Sequence, residues 1–200
     1  MASYTENHVT VINGRSHKVV GSRIPVGSVP NGMGINEVTN KIYVGNWQDG
    51  TVSVISGATR QVVATVTVGS GAQEPPHCYE ALKIDGCTKW GSMPIGPIGV
   101  NVTDNQLYVS NSNDGTISVI DGNTDQVLGK PIPVTTGKLM PDGCFDFGLC
   151  TSGSAPRGVL YNRNTKKIYV ESAHDKWISV LNATPQVSCI PKPGKPGECF

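Results

Sequence analysis

Two similar stretches decide the fold: IYVGNWQDGTVSVISGATRQVVA at residues 42–64 and LYVSNSNDGTISVIDGNTDQVLG at residues 107–129. Both keep one order of apolar, turn-forming and polar residues, which is the sign of an internal repeat. A third copy follows, because the motif tyrosines Tyr43, Tyr108 and Tyr169 are 65 and 61 residues apart (108 − 43 and 169 − 108). The chain is therefore built from one unit used several times.

Each repeat reads as β-structure. Short runs rich in Val, Ile, Thr and Tyr alternate with Asn, Asp and Gly clusters, a pattern that predicts antiparallel strands joined by hairpin turns. We expect four strands per repeat, in the first copy near residues 33–36, 41–45, 51–55 and 61–68. Four antiparallel strands form the blade of a β-propeller, which buries its faces against neighbouring blades. A β-sandwich would explain the short strands equally well, but not the near-identical repeats.

The residues NKIYVGNWQDGTVSVISGATRQVVATVTVG, at 40–69, closely resemble the YVTN-type β-propeller repeat of bacterial and archaeal surface-layer and other secreted proteins. The resemblance covers most of the chain in three copies and implies a propeller. It implies little about function, because such propellers serve scaffolding, adhesion and catalysis alike. The third copy departs from the pattern at Lys176-Trp177, in place of Gly-Thr, and at Asn182-Ala183, in place of Asp-Gly, which weakens the turn prediction there.

The domain prediction is a single all-β propeller, or a portion of one, over residues 1–200. Residues 9–14 (VTVING) parallel residues 117–122 (ISVIDG), so the chain opens on half a repeat with two strands. The predicted divisions are a half blade, a blade plus insert, a second blade plus insert, and a blade plus C-terminal tail, at residues 1–29, 30–94, 95–155 and 156–200. About three and a half blades is fewer than the four to eight of common propellers. We therefore expect either an excerpt of a longer propeller or open edges that other chains satisfy.

The repeats are longer than the roughly 40–45 residues that such a unit needs. The excess lies between the last strand of one repeat and the first strand of the next, and each of these connectors holds a cysteine pair: Cys78 and Cys87, Cys144 and Cys150, Cys189 and Cys199. Six cysteines allow about fifteen pairings, and short separations favour these three local disulfides over free thiols or a metal site. Disulfides are typical of oxidising compartments, which predicts an extracellular or cell-surface protein.

Two N-x-S/T sequons make Asn101 and Asn182 candidate glycosylation sites. In an up-and-down blade both lie in turns on the face opposite the inserts. The alternative is that each asparagine begins a turn for backbone reasons, and Pro185 should hinder modification of the second sequon, which makes Asn101 the better candidate.

Most of the large aromatic side chains map to the insert-bearing face, where they form a possible binding face: Trp47, Tyr79, Trp90, Phe145, Phe147 and Trp177. Such a face could stack on sugar rings or bury against a protein. Alternatively, each ring is the small core of its own disulfide loop.

No catalytic motif is present: the chain has no GxSxG, HExxH or phosphate-binding glycine loop. His174-Asp175 could act as an acid–base pair, although a solvated turn explains it more simply. We expect no cofactor and no metal, with calcium as a minor alternative at the carboxylates of the inserts: Glu74, Glu80, Asp85, Asp142 and Asp146. The formal net charge of +1 gives no reason to expect nucleic acid, and no apolar stretch approaches the roughly 20 residues of a membrane span.

These observations predict a non-catalytic, extracellular or cell-surface structural or binding protein that assembles through open blade edges into an oligomer or filament. One alternative is a carbohydrate-binding or adhesion module that uses the aromatic face. A second is a propeller enzyme of lyase or lactonase type with a metal at the channel. The first strand of each repeat offers only asparagines there, at Asn36, Asn101 and Asn162, which argues against the enzyme. The N-terminus lacks a signal-peptide pattern, so the chain would be cytosolic, mature or excerpted.

Overall fold

The computed structural model describes residues 1–3, 5–70, 98–112, 114–134, 156–172, 178–183, 191–192 and 195–199. Regular structure in these ranges is entirely β, and every strand pairing is antiparallel. None of the described residues forms a helix that is long and apolar enough to cross a membrane.

Sheet 1 is formed by β1 (Ala2–Ser3), β2 (His8–Val9) and β3 (Ile24–Pro25), in that order. An isolated bridge between Ile12 and Val19 extends the β2–β3 hairpin toward its turn. The sheet therefore has three strands, one more than the repeat pattern predicts, because residues 1–3 pair with β2 although they carry no β-sequence pattern.

Sheet 2 is a four-stranded meander of β4 (Pro30–Asn36), β5 (Lys41–Asn46), β6 (Thr51–Ser56) and β7 (Gln61–Thr67). These bounds confirm the four strands predicted for the first repeat. The motif tyrosine, Tyr43, lies in the middle of the sheet, where it is paired with Gly34 on one side and Val54 on the other.

Sheet 3 contains β8 (Gly99–Asn101), β9 (Gln106–Asn111), β10 (Thr116–Asp121), β11 (Gln126–Val127) and β12 (Ile132–Pro133). Both β11 and β12 pair with β10, so the predicted fourth strand is divided in two. The division has a local cause, because Gly129 adopts a positive φ of 65° and Pro131 has no N–H to donate to a ladder.

Sheet 4 contains β13 (Pro156–Asn162), β14 (Lys167–Ser172) and β15 (Ile178–Asn182), in that order. A separate two-stranded sheet of β16 (Pro191–Lys192) and β17 (Lys195–Cys199) follows it.

The asparagine that precedes each motif tyrosine by seven residues begins the turn between the first and second strands of its sheet. Asn36 Oδ1 accepts hydrogen bonds from the backbone N–H groups of Val38 and Thr39, at 3.0 and 3.3 Å. Asn101 and Asn162 make the same pair of bonds two and three residues on. These asparagines hold backbone turns, which explains why every repeat needs one.

Sheets 1 to 4 stack through three apolar layers. The layers between sheets 1 and 2, 2 and 3, and 3 and 4 are centred on Ile55, Tyr43 and Tyr108 respectively. Alternation along β6 serves two layers at once, because Val54 joins the layer toward sheet 3 and Ile55 the layer toward sheet 1. Sheets 2 and 3 are thus buried from both sides by their neighbours, as blades of a propeller are, whereas sheets 1 and 4 each pack against one described sheet.

Candidate functional site

The junctions between complete sheets show which side chains of a sheet pack against each of its neighbours. On β10, Ile117 is fully buried and packs with Val119 against sheet 4, whereas Ser118 and Ile120 point toward sheet 2. We call the side of a sheet that is turned toward the preceding sheet its leading side, and the opposite side its trailing side.

A polar seam accompanies each apolar layer. Ser118 Oγ donates a hydrogen bond of 2.8 Å to the carbonyl of Val68, which follows β7, and Ser179 Oγ donates one of 3.1 Å to the carbonyl of Val134, which follows β12. A third-strand serine thus binds the end of the preceding sheet at both junctions.

The turn between the second and third strands also holds the preceding sheet. The backbone N–H of Ser28 donates to Asp49 Oδ2 at 2.7 Å, and that of Ser70 donates to Asp114 Oδ2 at 3.0 Å. The aspartate of each Asp-Gly turn is therefore an inter-sheet acceptor as well as a turn former.

One ion pair crosses the junction between sheets 2 and 3. Lys41 Nζ lies 2.8 Å from both carboxylate oxygens of Asp125 and donates to the carbonyl of Gly122 at 2.9 Å. Both charged side chains are mostly buried. In sheet 4 the matching lysine, Lys167, binds Asn182 Oδ1 within its own sheet instead.

The trailing side of sheet 4 leaves its apolar positions exposed. We call Leu160, Tyr169, Ile178 and Val180 the C-terminal face. Leu160, Ile178 and Val180 are 66%, 62% and 51% exposed. Their register matches positions that pack against the following sheet, because Val180 pairs with Tyr169 as the buried Val54 pairs with Tyr43 and the partly buried Val119 with Tyr108. This face has the composition of a blade junction, but no described sheet covers it.

The leading side of sheet 1 is the second open surface. We call Thr10 and Ile12 the N-terminal face, and Ile12 is 48% exposed although its counterparts Ile55 and Ile120 are buried. Ile35 on β4 is 57% exposed, because β1 is the edge of sheet 1 and no described residue forms a strand inside it. No described residue therefore occupies the first-strand position beside Ile35.

Sequence reasoning predicted open edges but did not name these side chains. The signal is present in the repeat, since Ile178 and Val180 align with Ile117 and Val119. What was missing was the alternation of leading and trailing sides, which is assigned only once the neighbouring sheets are known.

The predicted aromatic binding face is described at one residue. Trp47 follows β5 and is half-buried, its backbone N–H donates to the carbonyl of Val29, and its buried Nε1 has no hydrogen-bond partner among the described residues. The other members lie outside the described residues: Tyr79, Trp90, Phe145, Phe147 and Trp177.

The two sequons differ in exposure. Asn101 is fully buried, and its Nδ2 donates to Asp104 Oδ2 at 2.8 Å, so a glycan on this nitrogen would require the turn to open. Asn182 is exposed. The geometry at Asn101 fits the turn-forming alternative, and glycosylation of either residue stays a prediction.

The predicted disulfides also stay predictions. Five of the cysteines lie outside the described residues: Cys78, Cys87, Cys144, Cys150 and Cys189. The sixth, Cys199, is the last residue of β17. The His174-Asp175 pair and the carboxylates of the inserts also lie outside the described residues. Within the described ranges, no three His, Cys, Asp or Glu side chains come together as metal ligands.

Burial perturbs the motif tyrosines. It raises the pKa of Tyr43 to about 12, and the nearby Asp125 carboxylate acts in the same direction. Burial also raises the pKa of Tyr108, whose Oη donates to Gln106 Oε1 at 3.0 Å. By contrast, Tyr43 Oη has no hydrogen-bond partner within the described part of the chain. These phenols are core groups that remain neutral at physiological pH.

Two solved structures share this architecture. Hydrazine synthase from Kuenenia stuttgartiensis matches 87% of this chain and 39% of its own, with 19% identity and a TM-score of 0.57. The dihydro-heme d1 dehydrogenase NirN, solved in complex with DHE, matches 90% of this chain and 31% of its own, with 16% identity and a TM-score of 0.60. Both are β-propeller proteins, and the likeness shows that this chain has a propeller fold.

The present chain spans less than half the length of either neighbour. No protein-family model matches it, and no curated protein matches it by sequence.

Proposed function

We propose that this chain is a non-catalytic structural or binding protein of the YVTN-repeat type, acting outside the cell or on its surface and assembling into an oligomer or filament through its open blade edges. The observation that carries the proposal is the C-terminal face. Its aliphatic side chains are exposed, although the repeat positions they occupy are buried or partly buried where a neighbouring sheet is present.

The strength of such an assembly can be bounded. Burying a large aliphatic side chain is worth about 1.5–3 kcal/mol, so covering the exposed parts of Leu160, Ile178 and Val180 is worth about 3–5 kcal/mol in total. Association of two proteins costs on the order of 4–15 kcal/mol. These three side chains therefore do not hold a complex alone, and the remainder of a blade face has to contribute.

The proposed compartment follows from the cysteine pattern, because three local disulfides would form only under oxidising conditions. Mass spectrometry of the chain purified from an oxidising compartment, with and without reduction, tests both points. The proposal expects peptides joined as Cys78–Cys87, Cys144–Cys150 and Cys189–Cys199. Six free thiols would contradict it.

Light scattering on a size-exclusion column tests the assembly. Between about 10 µM and 1 mM, the range in which a weak interface would populate, the mean mass should rise above the 21.1 kDa of one chain. A constant mass of one chain throughout this series would overturn the proposal.

A carbohydrate-binding role is the second candidate, favoured by Trp47, whose ring is only half-buried. The exposed part of the ring could stack on the face of a sugar. Glycan-array binding that is lost in Trp47→Ala and kept in Val38→Ala would support this role, and binding that is equal in the two variants would exclude Trp47 from it.

A further inference from the structure

We propose that copies of this chain assemble head to tail, with the C-terminal face of one copy packed against the N-terminal face of the next. This proposal rests on the self-assembly proposed above and adds its polarity and its contacts.

The shape of the C-terminal face favours this polarity. Where two complete sheets meet, the first strands approach closely over a glycine: a Cβ on Gly34 would lie 2.9 Å from Val100 Cγ2, and one on Gly99 would lie 3.0 Å from Val159 Cγ1. Sheet 4 carries Leu160 at the same register position, paired with its motif tyrosine. A following sheet with a complete first strand would collide with this leucine.

Sheet 1 is the partner that avoids the collision. Its inner edge is β1, and the described residues supply no first strand inside it. Leu160 of one copy can therefore occupy the vacant first-strand position of the next copy. Ile35 borders this position from the opposite side and is more than half exposed, so filling the gap buries both residues. The extra volume of Leu160 on the C-terminal face therefore corresponds to the missing first strand of sheet 1 on the N-terminal side.

The remaining positions agree with a blade junction. Thr10 occupies the register of Ser118 and retains its hydroxyl group. Ile12 corresponds to Ile55 and Ile120, which are buried at the internal junctions. The N-terminal face thus keeps the alternation of hydroxyl and isoleucine that sheets 2 and 3 turn toward their preceding neighbours.

Charge distinguishes this junction from the one between sheets 2 and 3. By the same register, Lys167 takes the place of Lys41, and His17 of the next copy takes the place of Asp125. His17 and Asp125 share a left-handed backbone, with φ of 55° and 54°, so an aspartate fits at position 17. His17→Asp should create the pair that Lys41 and Asp125 make, and we expect it to tighten assembly about threefold to tenfold.

Two capped variants test the polarity. Leu160→Glu with Val180→Lys blocks the C-terminal face, and Ile12→Glu blocks the N-terminal face. All three sites are exposed, so each protein should keep its fold, which thermal unfolding followed by circular dichroism checks. Head-to-tail assembly predicts that each capped variant alone is monomeric and that their mixture forms a one-to-one dimer by light scattering. Val38→Glu, on an exposed turn residue away from both faces, should assemble like the unmodified chain.

The other outcomes are separable. If the Ile12→Glu protein dimerises by itself while the mixture adds nothing, sheet 4 pairs with sheet 4, and the head-to-tail proposal is wrong although assembly stands. If the unmodified chain stays monomeric to about 1 mM, the self-assembly itself is wrong. A His17→Asp variant that assembles no better than the unmodified chain would overturn the proposed alignment of Lys167 with position 17.

Discussion

The turn between the third and fourth strands can be tested by substitution, because one repeat has an alanine at a position where the others have glycine. Gly122 donates its N–H to the carbonyl of Asn105 at 2.7 Å, and Gly57 does the same to Asn40 at 2.8 Å. A Cβ on Gly122 would overlap Asn105 Oδ1 and would lie 2.8 Å from its Cγ. Sheet 4 has an alanine here, Ala183, and its N–H still reaches the equivalent carbonyl at 3.0 Å.

The alanine in sheet 4 is accompanied by a second change. Its acceptor is Lys166, which replaces the asparagine of the other two repeats and keeps a positive φ of 53°. Lys166 is exposed, and a lysine has no side-chain oxygen in the place of Asn105 Oδ1, the atom that a Cβ on Gly122 would overlap. The turn at Asn182-Ala183, which the sequence predicted only weakly, thus keeps its backbone hydrogen bond.

The magnitudes follow from these contacts. Overpacking of this kind costs about 1–3 kcal/mol, so Gly122→Ala should lower the free energy of unfolding by about 2 kcal/mol, or the melting temperature by about 4–8 °C. Asn105→Lys should cost about 1–2 kcal/mol, because it removes the hydrogen bonds with Asn36 and Asn123. The double variant should be no worse than Asn105→Lys alone, which gives a coupling energy of about 2 kcal/mol.

Urea unfolding followed by circular dichroism measures all three variants. Gly14→Ala is the matched control, since Gly14 holds the same turn position in sheet 1 and a Cβ there would meet no atom within 4 Å. Its stability should change by less than about 0.5 kcal/mol. Strictly additive losses in the double variant, or equal losses for Gly14→Ala and Gly122→Ala, would refute the reasoning.

Two further predictions concern the junction between sheets 2 and 3. Asp125→Asn keeps a residue that tolerates positive φ but removes the charged partner of the mostly buried Lys41. It should lower the free energy of unfolding in urea by about 1–3 kcal/mol. A smaller decrease in a Lys41→Met background would assign this cost to the ion pair. Because burial raises the pKa of folded Tyr43 to about 12, above its ordinary value of 10.0, the neutral phenol contributes to stability below pH 10, and this contribution is lost as the pH rises toward 12. The free energy of unfolding should fall by about 2 kcal/mol between pH 10 and 12, and by less in Tyr43→Phe. At pH 7, Tyr43→Phe should be nearly neutral, whereas Tyr108→Phe should cost about 1 kcal/mol because it leaves Gln106 Oε1 without its donor.

Strand positions could be predicted where turn chemistry fixed them. Sheet 2 agrees with its predicted strands because Asn36, the Asp49-Gly50 pair and Ser56 set the turns between them. Residues 2–3 were missed because a strand so short is formed by its partner, β2, and not by its own propensity. The division of the last strand in sheet 3 was missed for a similar reason, since a glycine can end a strand or merely bend it.

The candidate site was less predictable than the fold. Open edges followed from counting strands, but the identity of the exposed side chains depends on which side of a sheet each residue occupies. That assignment needs the registers of Tyr43, Tyr108 and Tyr169, from which Leu160 is seen to replace Gly34 and Gly99. The choice among the predicted function classes depends still more on the side chains of the inserts, and these were assigned roles from the sequence alone.

The deviations from the repeat carry the information that is specific to this chain. In sheet 4, Ala183 replaces a glycine and Lys166 replaces the asparagine beside it, so the change is compensated by a contact within the same sheet. Leu160, which also replaces a glycine, has no such compensation among the described residues, and neither has His17, whose position is held by Arg60 in sheet 2 and by Asp125 in sheet 3. Both lie at the ends of the stack, where the neighbouring sheet is not among those described. The head-to-tail proposal places the residues that contact Leu160 and His17 in another copy of the chain. Light scattering of the two capped variants and of their mixture tests this placement.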